Sequence, residues 1–200
     1  MKIGAFNLLN SQTKMEKIKI GSKNNFYPTP TIIVGVLIDG KPNYLNVSYA
    51  GIANRNPAML FVSLNHLHYS TEGIIETKRF SVNIPSSEML VKTDYCGLVS
   101  GRTVDKSTLF HSFFGVLGDV PMIEECPVNI ECEVVHELKM ESNVIFIGKV
   151  IESYTQERYL TNHLPDMAKI DPILLSMNDF YYYSIGSKIS KAWDVGKKQQ

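Results

Sequence analysis

The sequence lacks both a long apolar run and an excess of charge. Its longest apolar stretch, TIIVGVLI at 31–38, falls far short of the roughly 20 residues that a membrane-spanning helix needs. Its 20 lysines and arginines balance 20 aspartates and glutamates, so the formal net charge is zero. A sequence-independent nucleic-acid binder needs a basic stripe to neutralise phosphates. Neither such a binder nor a membrane protein is therefore expected.

Cysteine is scarce, and no secretion signal is visible. Three cysteines are an odd number in a chain long enough to build a core without disulfides, which is typical of a reducing compartment. Asn7 and Asn10 interrupt the apolar residues near the N-terminus, and no small-residue cleavage site follows them. No linker or internal repeat divides the 200 residues. We therefore predict one cytoplasmic domain that spans 1–200.

The spacing signatures of several enzyme classes are also missing. The chain has no G-x-G-x-x-G for a dinucleotide, no phosphate-binding loop ending in Gly-Lys, no G-x-S-x-G nucleophile elbow and no H-E-x-x-H zinc pair. Cys132 and His136 share one face of a predicted strand and are expected in the core. His66 and His68 flank Leu67 without a nearby acid or thiolate, so a solvated loop or a ligand rim is expected there rather than a metal site.

Strand signals dominate what is present. Alternating or β-branched segments predict about seven strands, at 31–38, 44–50, 59–64, 80–84, 128–138, 144–154 and 180–184. Helix signals are fewer and lie at 71–78, 88–95 and 108–113. Many short strands with few helices favour a closed or nearly closed antiparallel barrel, because closure removes exposed sheet edges.

The predicted strand 44–50 has an unusual polar face. Leu45, Val47 and Tyr49 share one side, which leaves Asn46 and Ser48 together on the other. A strand that places small polar groups along one face offers hydrogen bonds to a partner. We therefore predict that this face binds a ligand.

Two further segments could hold an anion. Ser70 and Thr71 stand where a helix begins, and such an end offers backbone N–H groups to a phosphate, although a simple N-cap is the commoner explanation. Glu72, in the same turn, would repel a phosphate brought close. The glycine-containing loop 94–107 carries Arg102 and Lys106, which could pair with phosphate or could be ordinary surface charges.

Five segments occur in an order that is typical of one known family. They are PTPTIIVGVLIDGKPNYLNVSYAGIANRNPAMLFVSL, HYSTEGIIETKRFSVNIP, DYCGLVSGRTVDKSTLF, PVNIECEV and VIFIGKVIESY. Together, over about 26–193, they resemble the flavin reductase-like, FMN-binding split-barrel family and its flavoredoxin branch. The resemblance implies a mainly β, Greek-key split β-barrel with a few peripheral helices. It also implies a homodimer that holds FMN noncovalently near the subunit interface.

The resemblance further implies which residues meet the cofactor. The strand and turn at 46–50 would lie along the flavin, mostly through backbone and small polar groups, while the phosphate would meet hydroxyls at the helix start. Glu72 is then expected to point outward. The implied cofactor-binding residues are Asn46, Val47, Ser48, Tyr49, Ala50, Ser63, Leu64, Asn65, Ser70, Thr71, Arg102 and Lys106.

For function, the resemblance implies an oxidoreductase that takes a hydride from NADH or NADPH and passes electrons through FMN to free flavin, a ferric complex or a partner protein. No protein acid or base is required, because the flavin carries out the redox step. Two alternatives stay open, an FMN electron carrier without nicotinamide activity and a non-redox barrel that binds another planar ligand. Segment 157–172 is expected to be a long loop that covers the flavin or fills the dimer interface, and the aromatic run 180–183 is expected in that interface.

Overall fold

The computed structural model describes residues 16–199, which are built mainly from strands. The strands are β1 (Thr29–Pro30), β2 (Ile32–Ile38), β3 (Lys41–Val47), β4 (Ala50–Asn54), β5 (Met59–Asn65), β6 (Arg79–Ile84), β7 (Ser112–Phe114), β8 (Pro121–Ile123), β9 (Val128–Lys139), β10 (Asn143–Thr155), β11 (Leu160–Thr161), β12 (Leu164–Pro165), β13 (Leu174–Ser176) and β14 (Tyr181–Tyr183). Seven of them form one sheet in the order β3-β2-β6-β9-β10-β5-β4. The remaining strands pair as β1-β13-β14, β7-β8 and β11-β12.

The order of strands in the large sheet requires it to curl. Strands β3 and β4 lie at opposite edges of the sheet, yet only Ser48 and Tyr49 connect them. So short a connection spans roughly 10 Å even when it is extended, so the two edges must approach each other. The Tyr49 carbonyl accepts a hydrogen bond from the Ser63 amide at 2.8 Å, which ties this connection to β5. The predicted split barrel is confirmed, and its gap lies between β3 and β4.

Helices pack against both faces of the large sheet. They are α1 (Tyr69–Thr77), α2 (Leu90–Leu98) and α3 (Met167–Ile170), with 3-10 turns at Ser87–Met89, Glu157–Tyr159 and Val195–Gln199. Helix α1 lies directly on β2, since a Cβ added at Gly73 would stand 2.7 Å from a side-chain carbon of Ile38. None of the described helices is long and apolar enough to cross a membrane.

Two apolar cores lie on either side of the large sheet. One fills the barrel and includes the fully buried Val34, Val62 and Phe146. The other lies against α2 and includes Ile33 and Tyr44. Neighbouring β2 residues belong to different cores, because successive side chains of a strand point to opposite faces. The sheet is therefore covered on both faces around β2.

Most predicted strands are confirmed to within a few residues, but the helix predicted at 108–113 is wrong. That segment instead leads into β7, which pairs with β8 as a hairpin. Tertiary strand pairing outweighs a weak local helix signal there. His136 is exposed rather than in the core, because it lies toward the end of β9, where Val135 and Leu138 are also exposed.

Two other segments differ from their predicted form. The predicted strand 44–50 is interrupted, since β3 ends at Val47 and β4 begins at Ala50, and Tyr49 between them is exposed. Segment 157–172 is not a plain loop but contains β11, β12 and α3, and it is anchored where Ser86 bridges to Pro172. The N-terminal residues that argued against a secretion signal, 1–15, lie outside the described residues.

Candidate functional site

An open cleft of about 400 Å³, which we call the strand cleft, lies where β3 and β5 end. The ends of β3 and β5 form its walls, and the residues around the end of β13 form its rim. Its lining residues are Asn46, Val47, Ser48, Tyr49, Ser63, Asn65, His68, Asn143, Leu175 and Met177. Half of the twelve residues predicted to bind a cofactor are therefore brought together here.

A smaller cleft of about 190 Å³, the helix cleft, adjoins the strand cleft, and His68 lines both. It lies between the first turn of α1, the end of α2 and the following loop, and its lining includes Ser70 and Lys106. A third cleft of about 320 Å³ lies beyond it and includes Arg102 together with Lys106. The predicted Ala50, Leu64 and Thr71 line none of these three clefts.

Lys106 is a buried cation at the helix cleft. Only 3% of its surface is exposed, and its ammonium donates to the carbonyl oxygens of Tyr44 at 3.0 Å and Cys96 at 2.8 Å. None of the ion pairs found in residues 16–199 includes it. Burial lowers its pKa, because an ammonium loses solvation there. An ammonium carries three protons, so one is not used by these two carbonyls.

The start of α1 places its two hydroxyls differently from the sequence prediction. The helix begins at Tyr69 with His68 as the N-cap, so Ser70 and Thr71 lie inside the first turn. The Ser70 hydroxyl accepts a hydrogen bond from Asn43 Nδ2 at 2.8 Å, and its own proton goes to no acceptor in the described chain. The Thr71 hydroxyl donates to the Asn65 carbonyl at 2.8 Å. Only Ser70 therefore keeps a donor for the helix cleft.

Arg102 lines the third cleft, and its charge is already paired. Its guanidinium pairs with the carboxylate of Glu72 and lies over the Tyr69 ring, 4.9 Å from the centroid. The Glu72 side chain is 51% exposed, so the expectation that it points outward is confirmed. Because Arg102 compensates its charge, Glu72 repels an anion at Lys106 less than the sequence suggested.

The polar walls of the strand cleft are held by a second layer of hydrogen bonds. Asn143 Nδ2 donates to the Ser63 hydroxyl at 3.0 Å. Asn46 Nδ2 donates to the Tyr182 hydroxyl at 3.1 Å, while Asn46 Oδ1 is shielded from solvent and accepts no hydrogen bond from the residues described. Fixed amide and hydroxyl groups on facing strands are suited to the edge of a planar polar ring.

Several lining residues carried little signal in the sequence. Asn143, Leu175 and Met177 lie more than 70 positions from the other lining residues, and only the fold brings them to the strand cleft. His68 was predicted in a solvated loop or at a ligand rim, and it lines both clefts. Burial, assisted by the charge of Lys106, lowers its pKa, so its imidazole is neutral near pH 7.

The arrangement suits one ligand with two chemically different ends. The strand cleft offers fixed amide and hydroxyl groups between two strands, and the adjoining helix cleft offers a buried ammonium and a serine hydroxyl. No group of three or more potential metal ligands is found over residues 16–199. The arrangement therefore favours a polar ligand that carries an anionic group.

Comparison with known proteins identifies similar chains. The model of a family described as "Flavin reductase like domain" matches residues 24–180. Flavoredoxin from Methanosarcina acetivorans is 46% identical with a TM-score of 0.90, and the match covers 92% of this chain and 100% of that one. Flavoredoxin from Desulfovibrio vulgaris (Miyazaki F) is 31% identical with a TM-score of 0.85, covering 90% and 100%. An FMN-binding protein from Thermus thermophilus shares the fold at 19% identity and a TM-score of 0.76, covering 88% and 97%.

Proposed function

Because the chain belongs to the flavin reductase-like domain family, we propose that it is an oxidoreductase that moves electrons from NADH or NADPH through bound FMN to a flavin, a ferric complex or a partner protein. The similarity to two flavoredoxins supports a role in electron transfer. One observation of the structure carries the proposal furthest. A cleft lined by the side-chain amides of Asn46 and Asn143 adjoins a cleft lined by the buried Lys106.

FMN is supported as the cofactor by the family and by its flavoredoxin and FMN-binding neighbours. The residues present also fit this molecule. The ammonium of Lys106 supplies the positive charge that a phosphate requires, and the Ser70 hydroxyl supplies a further donor. Asn46, Ser48 and Ser63 line the strand cleft and supply polar groups where the ring would lie. The strand cleft, at about 400 Å³, is within the usual size of cofactor sites.

We propose that the ring lies in the strand cleft and the phosphate in the helix cleft. Asn46, Ser48 and Ser63 would hold the ring edge, whereas Ser70 and Lys106 would hold the phosphate. Thr71, Leu64 and Ala50 would not contact FMN. They would support the strands and the turn that form the walls of the clefts. Bound FMN supplies hydride acceptance and electron transfer, and the protein needs only to bind it, orient it and leave access to it.

The first experiment is a visible absorption spectrum of the protein after incubation with FMN and desalting. Retained flavin bands would establish the cofactor, and a protein that never retains flavin would leave the non-redox ligand barrel as the better interpretation. Anaerobic addition of NADH or NADPH then tests the donor. Bleaching followed by turnover with an added acceptor is the expected result, whereas retained flavin that neither nicotinamide bleaches would identify an electron carrier.

We also propose one domain over 1–200, with its core at about 26–193, that assembles as a cytoplasmic homodimer. Three aromatic side chains next to the strand cleft support an interface, since Phe180, Tyr181 and Tyr183 are 73%, 67% and 51% exposed. Aromatic residues are enriched at such interfaces. Light scattering during size-exclusion chromatography should give the mass of two chains, and a monomer at micromolar concentration would contradict the dimer.

The two hydroxyls at the start of α1 are expected to differ in their effect on FMN binding. Ser70→Ala removes the hydroxyl that keeps a donor at the helix cleft, so the dissociation constant of FMN should rise about tenfold. Thr71→Ala removes a hydroxyl that donates to the Asn65 carbonyl, so its effect on affinity should be smaller. Fluorescence titration with FMN compares the two variants. Equal losses, or a larger loss at Thr71, would contradict this assignment.

FMN affinity is expected to fall at alkaline pH because of Lys106. Burial lowers the pKa of Lys106 below its ordinary value, so its charge is lost at a lower pH than that of an exposed lysine. A phosphate binds the charged form better, so affinity is complete below this lowered pKa and decreases as the pH rises through it. Titrations from about pH 7 to about pH 10 measure the effect. Ionisation of FMN itself affects the wild type and Lys106→Met equally, so the variant is the control. It should lack the part of the pH dependence that Lys106 causes, and the same pH dependence in both proteins would contradict the prediction.

A further inference from the structure

His68 stands at the boundary between the strand cleft and the helix cleft. Among the described lining residues, it alone belongs to both. It is the N-cap of α1, yet its side chain makes no capping hydrogen bond, and the residue is exposed. Within residues 16–199, the histidine rings that have a hydrogen bond or an ion pair are those of His66 and His111, not that of His68. The His68 imidazole is therefore accessible to a ligand that spans both clefts.

The charges around His68 disfavour its protonated form in the empty site. Burial of part of the side chain, and then the positive charge of Lys106, lower the pKa of the imidazole. The N-terminal end of α1 acts in the same direction, because the partial positive charge of a helix N-terminus disfavours a cation. Neither cleft has an aspartate or a glutamate among its described lining residues. An anionic ligand would therefore be the first negative charge to face this imidazole.

The other titratable groups near His68 do not compete for this role. Tyr49 lines the strand cleft and Tyr69 the helix cleft, and phenols carry no charge between about pH 5 and pH 8. Glu72, in the first turn of α1, is compensated by an ion pair. The ring of His66 bonds a backbone carbonyl at 2.9 Å, and His66 lines neither cleft. Among the described lining residues of the two clefts, His68 is thus the group whose charge can change near neutral pH.

We propose that the protonated imidazole of His68 binds the phosphate of FMN together with Lys106, so that FMN binding takes up a proton near neutral pH. This inference rests on the proposed function, because it assigns a role to a residue of the same site. A phosphate in the helix cleft favours the imidazolium, so it raises the pKa of His68 above its lowered value in the empty protein.

The direction of the pH dependence follows from this change. The contribution of His68 to FMN affinity is complete below the pKa of the empty protein, and it is lost as the pH rises through the higher pKa of the complex. FMN affinity should therefore increase as the pH falls from about 8 to about 6. This step is separate from the alkaline step expected for Lys106, because an imidazole and an ammonium titrate in different ranges.

Isothermal titration calorimetry with FMN at about pH 6.5, in two buffers of different ionisation enthalpy, tests the proposal. The difference in apparent binding enthalpy between the buffers gives the number of protons taken up. The wild type should take up a substantial part of a proton, to a limit of about one per FMN. The phosphate itself would give the opposite sign, since binding beside a cation favours its more ionised form and releases protons. A wild type that binds FMN without proton uptake would overturn the proposal.

His68→Gln removes the titrating group and keeps a polar side chain, and His66→Gln is its matched control. His68→Gln should abolish the proton uptake and raise the dissociation constant of FMN roughly three- to tenfold at about pH 6, with a smaller effect at about pH 8. His66→Gln makes the same change in a neighbouring imidazole outside both clefts and should leave both quantities at the wild-type values. Equal uptake in His68→Gln and the wild type would overturn the proposal.

His68→Lys tests the charge directly. Lysine carries its charge throughout this pH range, so this variant should take up no proton and should bind FMN more tightly than His68→Gln at about pH 8. Affinity no better than that of His68→Gln would contradict a role for positive charge at this position. Because His68 is exposed, its variants should fold as the wild type does, and thermal unfolding of each apo protein checks this.

Riboflavin, which has the same ring but no phosphate, shows which part of the ligand draws the proton. It should bind the wild type more weakly than FMN and without proton uptake. Uptake with riboflavin equal to that with FMN would overturn the assignment of His68 to the phosphate. A wild-type protein that binds neither molecule would instead refute the proposed function.

Discussion

Replacing Lys106 by methionine is expected to weaken FMN binding by about 10- to 100-fold. Lys106 is 3% exposed, and its ammonium is held by the Tyr44 and Cys96 carbonyls. It has no acidic partner among the described residues, so a bound phosphate would be the first anion to pair with it. Buried charge pairs act at a low local dielectric and are stronger than pairs at the surface. We therefore expect Lys106 to contribute more to phosphate binding than any other single residue.

The stability of the apo protein should change much less than its affinity for FMN. Methionine has a similar length and fills the same space, and it removes the cost of burying an unpaired ammonium. Against this, the carbonyls of Tyr44 and Cys96 lose their donor. These two terms oppose each other, so thermal unfolding of the apo variant should stay close to that of the wild type.

Lys41→Met is the matched control for this experiment. Lys41 lines the third cleft, but its side chain is 72% exposed and its pair with Asp105 spans 3.7 Å. An exposed pair of this kind contributes little, so FMN affinity should not change. Fluorescence titration measures the dissociation constant of FMN for both variants. If Lys106→Met binds FMN as tightly as the wild type, the phosphate does not lie in the helix cleft.

The strands were predictable from the sequence because their signal is local. Runs rich in apolar and β-branched residues mark β5, β9 and β10 as strands in the sequence itself. The same local reading fails at 108–113, where the pairing of β7 with β8 decides the structure. Closure of the barrel follows from the short β3–β4 connection, which becomes informative only once the order of strands is known.

The site was predictable only in part. The small polar face at Asn46 and Ser48 was visible in the sequence, and both residues line the strand cleft. The burial of Lys106 could not be predicted from the sequence. It depends on carbonyl oxygens of β3 and α2 that come together only in the fold. Tyr182 was expected only as part of an aromatic run. Its hydrogen bonds to Asn46 and Asp94 join residues more than 80 positions apart.

Gly35→Ala is expected to cause the largest loss of stability among the changes considered. A Cβ at Gly35 would stand 2.4 Å from the Pro121 carbonyl oxygen and 2.5 Å from the Ser81 hydroxyl. These two atoms are themselves joined by a hydrogen bond of 2.6 Å, so neither can move without breaking it. Overpacking and the lost hydrogen bond together should cost about 3 kcal/mol. The thermal midpoint should then fall by roughly 6 to 12 °C.

This change should also reach the site, because Gly35 pairs with Tyr44 across β2 and β3. The Tyr44 carbonyl accepts from the Lys106 ammonium, and its ring stands 3.1 Å from the added Cβ. A displaced β3 would therefore move the ammonium relative to Ser70, and FMN affinity should fall together with stability. Gly186→Ala, in an exposed segment with nothing within 4 Å of its Cβ, is the control and should change neither quantity. A Gly35→Ala protein with wild-type stability would show that β2 and β8 are less tightly packed than this structure has them.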